Sequence, residues 1–357
     1  MADRTNRPIV FMLPSRKIGG GANAVIAMHT YFRRCCQSYD SGVWFSLRSE
    51  FFSVLQSGII RILLMLYRTT IQATKSRRRA IVVVTDPVQA IIVGLICRRS
   101  ATVRYVQAND LTLFEGRLPA RVNAMYAGLT TRFLRRYRNV VFNSSTTAHE
   151  VITAIGRAVT FEVINPPIRD VFFHHVIPKP ARYPSAQVGL VLRKAVGKRA
   201  DLAVRLLRAL ARDETLRVQP VVLDPDGILG SEETDVLRLP GGTPDEVAQF
   251  YRRLDVFVSL SDAEGLGLPP IEAMAAGCPV VMTEVAGHIS FGVDGENCLF
   301  VPGGAVEHAY AAVKHVLTDR VLRERLVVGG LATAAEFTAD RSAEKFCEYI
   351  TSHVSLR

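Results

Sequence analysis

The sequence has few of the features that mark secreted or membrane-spanning proteins. It contains six cysteines, and no C-x-x-C pair or metal-knuckle spacing occurs among them. Cysteines inside apolar runs, such as Cys97 and Cys347, are expected to be buried reduced thiols. There is no uncharged apolar run of 18 residues, and no apolar segment near the N-terminus precedes a small-residue cleavage site. We therefore expect a cytoplasmic protein, one able to sit at the inner face of the cell membrane.

Acidic residues are scarce in the first half of the chain. Residues 1–175 carry 24 Lys/Arg against 9 Asp/Glu, whereas residues 176–357 carry 20 against 24. This uneven distribution indicates that the first half faces an anionic partner. Nucleic acid is not expected as that partner, because no binding motif accompanies the charge.

Two basic segments of the first half favour peripheral contact with an anionic membrane. Residues 51–79 join an apolar, partly amphipathic stretch to a basic cluster, and residues 132–138 add four arginines. A surface helix pressed onto anionic lipid has this composition. The alternative is an ordinary core helix followed by a solvated arginine-rich loop.

Short apolar runs typical of buried strands alternate with helical patterns, and this alternation occurs in two successive series along the chain. Strands are predicted at 8–13, 42–47, 81–85, 102–107, 139–144 and 161–166, and then at 188–192, 216–223, 255–261 and 279–283. Continuous Val/Ile strands between helices predict parallel sheets covered by helices. The fold class is therefore α/β, with two Rossmann-like doubly wound domains joined near 164–173. The predicted boundaries are 1–168 and 169–335 for the domains and 336–357 for a C-terminal helix.

The segment 259–281 (SLSDAEGLGLPPIEAMAAGCPVV) carries the clearest chemical pattern. Glu264 and Glu272 are separated by seven residues, with glycines at a strand end that let backbone amides approach a ligand. Pro270 as the first helical residue and Gly277 as the stop predict a helix over 270–276, whose N-terminus would stabilise a diphosphate. Glu272, in the first turn, can accept hydrogen bonds from a ribose, and Glu264 can meet sugar hydroxyls. The alternative is a solvated turn glutamate and a helix-start carboxylate.

This string resembles the E-x7-E signature of retaining GT-B glycosyltransferases, above all glycosyltransferase family 4. The preceding DVFVSLS and the following VDGENCLFVPGG (293–304) also resemble the family, with Cys298 where a glycine is usual. The resemblance implies two Rossmann-like domains facing a cleft, with an acceptor-side first domain, a nucleotide-sugar-binding second domain and a C-terminal helix that crosses back to the first. It further implies retaining, metal-independent hexosyl transfer from a nucleotide sugar, a UDP- or GDP-sugar, to a hydroxyl acceptor such as a polyprenyl-linked or growing polysaccharide glycan.

The resemblance also assigns roles to residues on the donor side. VGLVLRKAVGKRADLAVRLL resembles the family's G-R-x4-K-G stretch, so Arg193 and Lys198 take the places of the donor-phosphate cations, while Leu192 and Arg199 replace glycines. The residues implied to bind the donor are Gly20, Gly21, Gly265, Leu266, Gly267, Leu268, Glu272 and His288. Those implied to act in catalysis are Glu264, Arg193, Lys198, Asn109 and Asp110.

In the first domain the resemblance is carried by three shorter segments. Gly19-Gly20-Gly21 resembles the family's glycine loop near the transferred sugar. The segment 103–116 resembles the one in which many relatives carry a His-Asp pair, but Asn109-Asp110 stands here, and asparagine cannot share a proton as histidine can. The segment 139–152 resembles the family's strand and capped helix, so the polar residues at 144–146 are expected to be helix caps rather than groups of the cleft.

No cofactor and no metal are expected. Asp224-Pro-Asp226 matches a D-x-D metal pattern, but D-P-D-G after a strand is ordinary turn chemistry. Two other functions remain open on the sequence: a GT-B epimerase or sugar phosphorylase, and a non-catalytic partner in a polysaccharide-assembly complex.

Overall fold

The chain forms two compact units. The computed structural model describes residues 8–15, 19–35, 40–47, 58–112, 119–156, 160–173, 184–195, 197–239 and 241–354. The first unit comprises Met1–Pro167 together with Ala339–Arg357, and the second comprises Ile168–Thr338. The chain therefore enters the second unit at the segment 164–173 and leaves it before the C-terminal helix.

The first unit is built on a parallel six-stranded sheet. Its strands are β1 Ile9–Ser15, β2 Ser41–Leu47, β3 Ile81–Val84, β4 Thr102–Val106, β5 Asn139–Phe142 and β6 Phe161–Val163, in the spatial order β2-β1-β3-β4-β5-β6. Its helices are α1 Gly19–Cys35, α2 Gly58–Ser76, α3 Pro87–Ile96, α4 Ala120–Leu134 and α5 Ser145–Ile155, with short 3-10 turns at Arg99–Ala101 and Asp110–Thr112. Every residue of β3, β4 and β5 is buried, as a central parallel strand covered on both faces requires.

The second unit is also a parallel six-stranded sheet, but with a different strand order. Its strands are β7 Ala186–Val191, β8 Val218–Leu223, β9 Leu237–Leu239, β10 Val256–Ser259, β11 Val280–Thr283 and β12 Leu299–Val301, in the order β12-β11-β10-β7-β8-β9. Its helices are α6 Asp170–Phe173, α7 Ala200–Arg212, α8 Pro244–Arg253, α9 Leu268–Ala275, α10 Ala286–Ile289, α11 Val306–Thr318 and α12 Arg320–Ala334, with a 3-10 turn at Ala335–Phe337. The strand order reverses between β7 and β10, which are hydrogen-bonded neighbours.

Each sheet has an apolar core on both faces, which is what a doubly wound arrangement buries. In the first unit one core joins Phe11 and Phe32 to residues of the C-terminal helix, and the other lies under α2, α3, α4 and α5. In the second unit one core lies between the sheet and α7, and the other surrounds Tyr251 and Phe257. The two predicted Rossmann-like domains are thus present.

The C-terminal helix, α13 Ala339–His353, is part of the first unit. It packs along α1, with Phe346 against Phe11 and Phe32 in one aromatic cluster. The chain therefore returns to the first unit after completing the second.

Several sequence predictions need correction at this level. The glycine cluster 19–21 forms the first turn of α1 rather than a loop before the helix. Cys97 is buried and free, but Cys347 is disulfide-bonded, so the prediction of a reduced thiol at Cys347 was wrong. Among the described residues, no helix combines the length and the apolar run needed to cross a lipid bilayer.

Candidate functional site

The strand order of the second sheet brings two candidate loops together. Because the order reverses between β7 and β10, the loops that follow these adjacent strands leave the carboxyl edge of the sheet side by side. Ligands of doubly wound sheets bind at such a reversal. The first loop carries Arg193 and Lys198, and the second carries Glu264.

Glu264 lies at the centre of this arrangement. Its Oε1 accepts a hydrogen bond from Ser261 Oγ at 2.8 Å and is paired with Lys198 Nζ. The Glu264 side chain is 11% exposed, which does not fit a solvated turn residue. A Cβ atom added to Gly287 would lie 2.5 Å from the Glu264 carbonyl oxygen, so the loop after β11 packs directly on this turn.

The turn from Gly265 to Leu268 leads into helix α9. Gly267 has a φ of 94°, and a Cβ atom there would lie 2.7 Å from the His288 ring, so both conformation and space require glycine. Leu266 is buried in the core and anchors the turn. The helix begins at Leu268, two residues earlier than predicted, and it stops before Gly277, whose φ is 73°. Pro269 and Pro270 carry no N–H group, so the backbone donors at this end of the helix belong to the glycine turn and to Leu268.

Glu272 lies in the second turn of α9, not in the first as predicted, because the helix starts earlier. Its Oε2 accepts a hydrogen bond from the Tyr251 hydroxyl at 3.0 Å. Burial raises the pKa of Glu272 to about 7, while the Tyr251 hydroxyl and the Arg169 guanidinium act to lower it. Tyr251 belongs to the apolar face of α8, and nothing in the sequence pattern separates it from an ordinary core residue.

Arg193 and the D-P-D segment form one local structure. Arg193 Nε donates to Asp226 Oδ2 at 3.0 Å, and the same oxygen accepts from the Lys194 backbone N–H at 2.8 Å. The Lys194 amide and the Arg193 guanidinium hold the pKa of Asp226 below its usual range. Asp224 accepts from the backbone N–H groups of Ile228 and Leu229, so the predicted turn is present and fixes the Arg193 loop.

Arg199, which replaces a glycine of the resembling family, has a structural role that the sequence did not predict. Its guanidinium binds Asp201 at the start of α7 and Asp262 just beyond β10. The Asp262 backbone N–H also donates to the Gly197 carbonyl at 2.7 Å. The loop after β7 is thus tied to the loop after β10.

These groups border a shallow cavity of about 410 Å³ at the end of β7. It is lined by Arg193, Lys194, Ala195, Gly197, Arg199 and the first residues of α7. Arg193 and Lys194 in one concave surface, next to the N-terminus of a 13-residue helix, favour an anionic ligand, whereas Arg199 is bound by Asp201 and Asp262.

His288 is fully buried beneath the glycine turn. Its Nδ1 lies 2.7 Å from the Thr283 carbonyl oxygen, and burial lowers its pKa, so the ring is neutral and donates through Nδ1. Its Nε2 has no hydrogen-bond partner among the described residues. His288 therefore shapes the underside of the turn at Gly267.

In the first unit, Asp110 is held by a buried arginine. Arg104 on β4 pairs with the Asp110 carboxylate and donates to three backbone carbonyls at the ends of β3 and β4, those of Val84, Thr85 and Tyr105. Burial raises the pKa of Asp110, and the guanidinium opposes that shift. Asn109 Oδ1 accepts from the Leu111 backbone N–H at 3.2 Å. The structure therefore gives both residues a part in shaping their loop, and a buried Arg104 was not predicted.

The remaining candidate residues of the first unit lie at the starts of helices. Gly20 and Gly21 lie in the first turn of α1, directly after the segment that follows β1. Ser144 is the N-cap of α5 and accepts from the Thr147 backbone N–H at 3.1 Å, as predicted. Among the described residues no group of three or more His, Cys, Asp or Glu has the geometry to hold a metal ion.

The chain is similar in sequence to known glycosyltransferases over part of its length. Residues 230–330 match the family Glycosyl transferases group 1. A D-inositol 3-phosphate glycosyltransferase of Acidothermus cellulolyticus is 36% identical over 109 residues, which cover 30% of this chain and 24% of that protein. A lipopolysaccharide core biosynthesis glycosyltransferase of Rhizobium meliloti, LpsE, is 34% identical over 112 residues, covering 31% of this chain and 33% of that protein. The matches thus span a quarter to a third of the length of these relatives.

Similarity in structure extends over nearly the whole chain. Anabaena HepE in complex with UDP-glucose superposes with a TM-score of 0.75 at 17% identity, over 97% of this chain and 100% of that one. Sucrose-phosphate synthase of Thermosynechococcus elongatus superposes with a TM-score of 0.76 at 15% identity, over 97% and 98%. At such identities the likeness establishes the fold. The chain therefore has two parallel-sheet Rossmann-like domains like those of its GT-B neighbours, and its residues 230–330 match the family Glycosyl transferases group 1.

Proposed function

We propose that the chain is a retaining glycosyltransferase that moves a sugar from a nucleotide-sugar donor to a hydroxyl acceptor. The observation that carries the proposal is the Lys198–Glu264 pair at the reversal of the second sheet, directly before the glycine turn that leads into α9. The group 1 match covers Glu264 and α9, which supports the same assignment. A UDP-sugar is the favoured donor, since the structural neighbour HepE is described in complex with UDP-glucose.

In the proposed donor site, positively charged groups bind the diphosphate and carboxylates bind the hydroxyl groups. Arg193, Lys198 and the N–H groups of the glycine turn that leads into α9 would hold the diphosphate, because cations and oriented amides offset the charge that grows on the leaving nucleotide. Glu272 would accept hydrogen bonds from the ribose hydroxyls, and Glu264 those from the sugar hydroxyls.

The proposed reaction proceeds with attack on the face from which the nucleotide leaves. The acceptor oxygen forms a bond to the anomeric carbon while the bond from that carbon to the diphosphate oxygen breaks. The electron pair goes to the diphosphate, and the acceptor proton passes to the departing phosphate oxygen. No metal ion takes part in this proposal, since Arg193 and Lys198 supply the positive charge.

The test is a panel of UDP-, GDP-, dTDP- and ADP-glucose, scored for slow hydrolysis by the full chain with and without EDTA. We expect hydrolysis of one donor, unchanged by EDTA, and a loss of roughly 10²–10³-fold in kcat for Lys198→Ala, the size typical of removing one transition-state donor. Arg205→Gln, which removes an exposed cation on α7, is the control. Donor isomerisation or phosphate dependence would instead identify an epimerase or phosphorylase, and nucleotide binding without hydrolysis a non-catalytic partner.

The acceptor is proposed to be a polyprenyl-linked or growing polysaccharide glycan, reached at an anionic membrane. Helices α2, α3 and α4 lie over the same core on one face of the first sheet, with α3 between the other two. Their outer surfaces expose seven large apolar side chains: Leu63, Tyr67, Ile71, Leu95, Val122, Met125 and Leu129. The helices and the turns after them, at 58–80, 87–101 and 119–138, contain 13 Lys/Arg and no Asp/Glu. Apolar side chains among cations without anions suit the interface of anionic lipid.

Vesicle co-sedimentation tests this surface. We expect binding to vesicles of phosphatidylcholine with 30% phosphatidylglycerol and weak binding to pure phosphatidylcholine. The double variant Leu63→Ser/Tyr67→Ser should lose at least tenfold in affinity for the anionic vesicles, because about 1.5–3 kcal/mol is gained per buried large apolar side chain. Val321→Ser/Val328→Ser, which removes two apolar side chains from α12 of the second unit that are even more exposed than Leu63 and Tyr67, is the control. Equal binding to both vesicle types, or equal loss in both double variants, would contradict the proposal.

A further inference from the structure

Arg199 has a backbone conformation that favours glycine. Its φ is 48° and its ψ is 50°, in the left-handed region, where the Cβ atom of an L-residue is crowded. Among the described residues, the other non-glycine residue with positive φ is Arg217. The resembling family carries glycine at the position of Arg199, so this chain keeps a side chain where a glycine would be unstrained. Such a side chain persists when its surroundings hold it.

Two carboxylates hold the Arg199 side chain. Asp201 accepts from Nε and Nη2, each at 3.0 Å, and Asp262 accepts from Nη1 at 2.9 and 3.2 Å. These hydrogen bonds raise the pKa of Arg199 and lower that of Asp201. A single exposed ion pair contributes little, but a guanidinium shared between two carboxylates in fork geometry is fixed in direction.

The result is a set of three links between the loop after β7 and the loop after β10. The Asp262 N–H donates to the Gly197 carbonyl, Arg199 binds the Asp262 carboxylate, and Lys198 pairs with Glu264. Lys198 lies between two of the linked residues, Gly197 and Arg199. Its backbone is therefore fixed on both sides before any donor arrives.

We propose that Arg199 and Asp262 are positioning residues that fix Lys198 for the donor diphosphate. The inference rests on the proposed function, since it assigns Lys198 to the diphosphate. Arg199 itself points to Asp201 and Asp262, so it acts through the loop and not on the donor. Preorganising a cation lowers the cost of ordering the site on binding.

The experiment compares nucleoside mono- and diphosphate binding, with the base that supports turnover in the wild-type chain. The monophosphate affinity reports the contacts of the nucleoside and of the first phosphate, and the ratio of the two affinities reports the contacts of the second phosphate. For Arg199→Gly we expect a melting temperature at or above that of the wild type, because glycine prefers this φ. We expect the diphosphate affinity to fall roughly tenfold, as when one charge-assisted hydrogen bond is weakened, with monophosphate affinity unchanged.

Two further variants separate positioning from folding. Asp262→Asn keeps the backbone link to Gly197 but loses the carboxylate, and it should show the same selective loss of diphosphate affinity; Arg199→Lys should show a partial loss. Arg205→Gln, which breaks the exposed Arg205–Glu307 pair on the same helix, should leave both affinities unchanged. An unchanged affinity ratio in Arg199→Gly, or a parallel fall of both affinities with a lower melting temperature, would overturn the proposal. A wild-type chain that binds no nucleotide would refute the proposed function itself.

Discussion

The Glu272→Gln substitution removes the charge of a half-buried carboxyl group while keeping its shape. The glutamine Oε1 can still accept the hydrogen bond from the Tyr251 hydroxyl, so the packing of α8 against α9 is retained. An amide offers a ribose hydroxyl a weaker acceptor than a carboxylate does. Stability and nucleotide binding should therefore change in opposite directions in this variant.

The size of the stability change follows from the pKa of Glu272. Burial raises it from 4.5 to about 7. A carboxyl with a raised folded-state pKa contributes stability that is present below pH 4.5 and is lost as the pH rises to about 7. At about 1.4 kcal/mol per pKa unit the full shift corresponds to about 3.5 kcal/mol, which we reduce to about 1–2 kcal/mol because the side chain is only half-buried. Glutamine has no ionised form, so the variant does not lose this stability as the pH rises.

The assay is thermal unfolding of both chains between pH 5 and pH 8. We expect nearly equal melting temperatures near pH 5 and a variant that melts roughly 2–8 °C higher at pH 8, since about 1 kcal/mol shifts a unit of this size by 2–4 °C. Nucleotide affinity at pH 8 should fall about tenfold in the variant, as expected when an ionised acceptor becomes neutral. A melting difference that stays constant across this pH range would refute the reasoning.

Three further predictions concern single contacts. Gly267→Ala should destabilise the second unit by about 1–3 kcal/mol, measured by thermal unfolding, because its Cβ meets the His288 ring at a positive φ; Gly295→Ala, with positive φ but open space, should cost less. Asp110→Ala should destabilise the first unit by about 3–5 kcal/mol by leaving Arg104 buried and unpaired, and Asp110→Asn should cost less because it keeps a hydrogen-bond acceptor. Asp226→Ala should lower kcat in the donor assay by freeing Arg193, with no rescue by added Mg²⁺ or Mn²⁺; rescue by either cation would indicate a metal site.

Regular elements were predictable where the apolar pattern was strong. The helix predicted at 200–212 has those bounds, because its leucines repeat at helical spacing along one face. The pattern was weak where elements are short. Strands β9 and β12 have three residues each and were not predicted. The start of α9 was placed two residues late because Pro270 fits the first helical position as well as Leu268 does.

The contacts of the candidate site were less predictable than its residues. Glu264 and Lys198 were identified by resemblance, but their direct pairing depends on β7 and β10 being neighbours, which is a property of the strand order. The same order explains why Arg199 and Asp262, 63 residues apart, could not be linked from the sequence. Arg104 was missed because one cation within an apolar strand gives no periodic signal.

The placement of α13 makes completion of the first unit depend on a segment that is synthesised after the second unit. Residues 168–338 are complete as a unit before the ribosome reaches α13, whereas the first sheet lacks the cover over Phe11 and Phe32 until Phe346 and Ile350 have emerged. The second unit can thus reach its final packing first, although it follows in the sequence. Deletion of α13 would therefore damage the first unit, which precedes it by a whole unit in the chain, and leave the packing of the second unit intact.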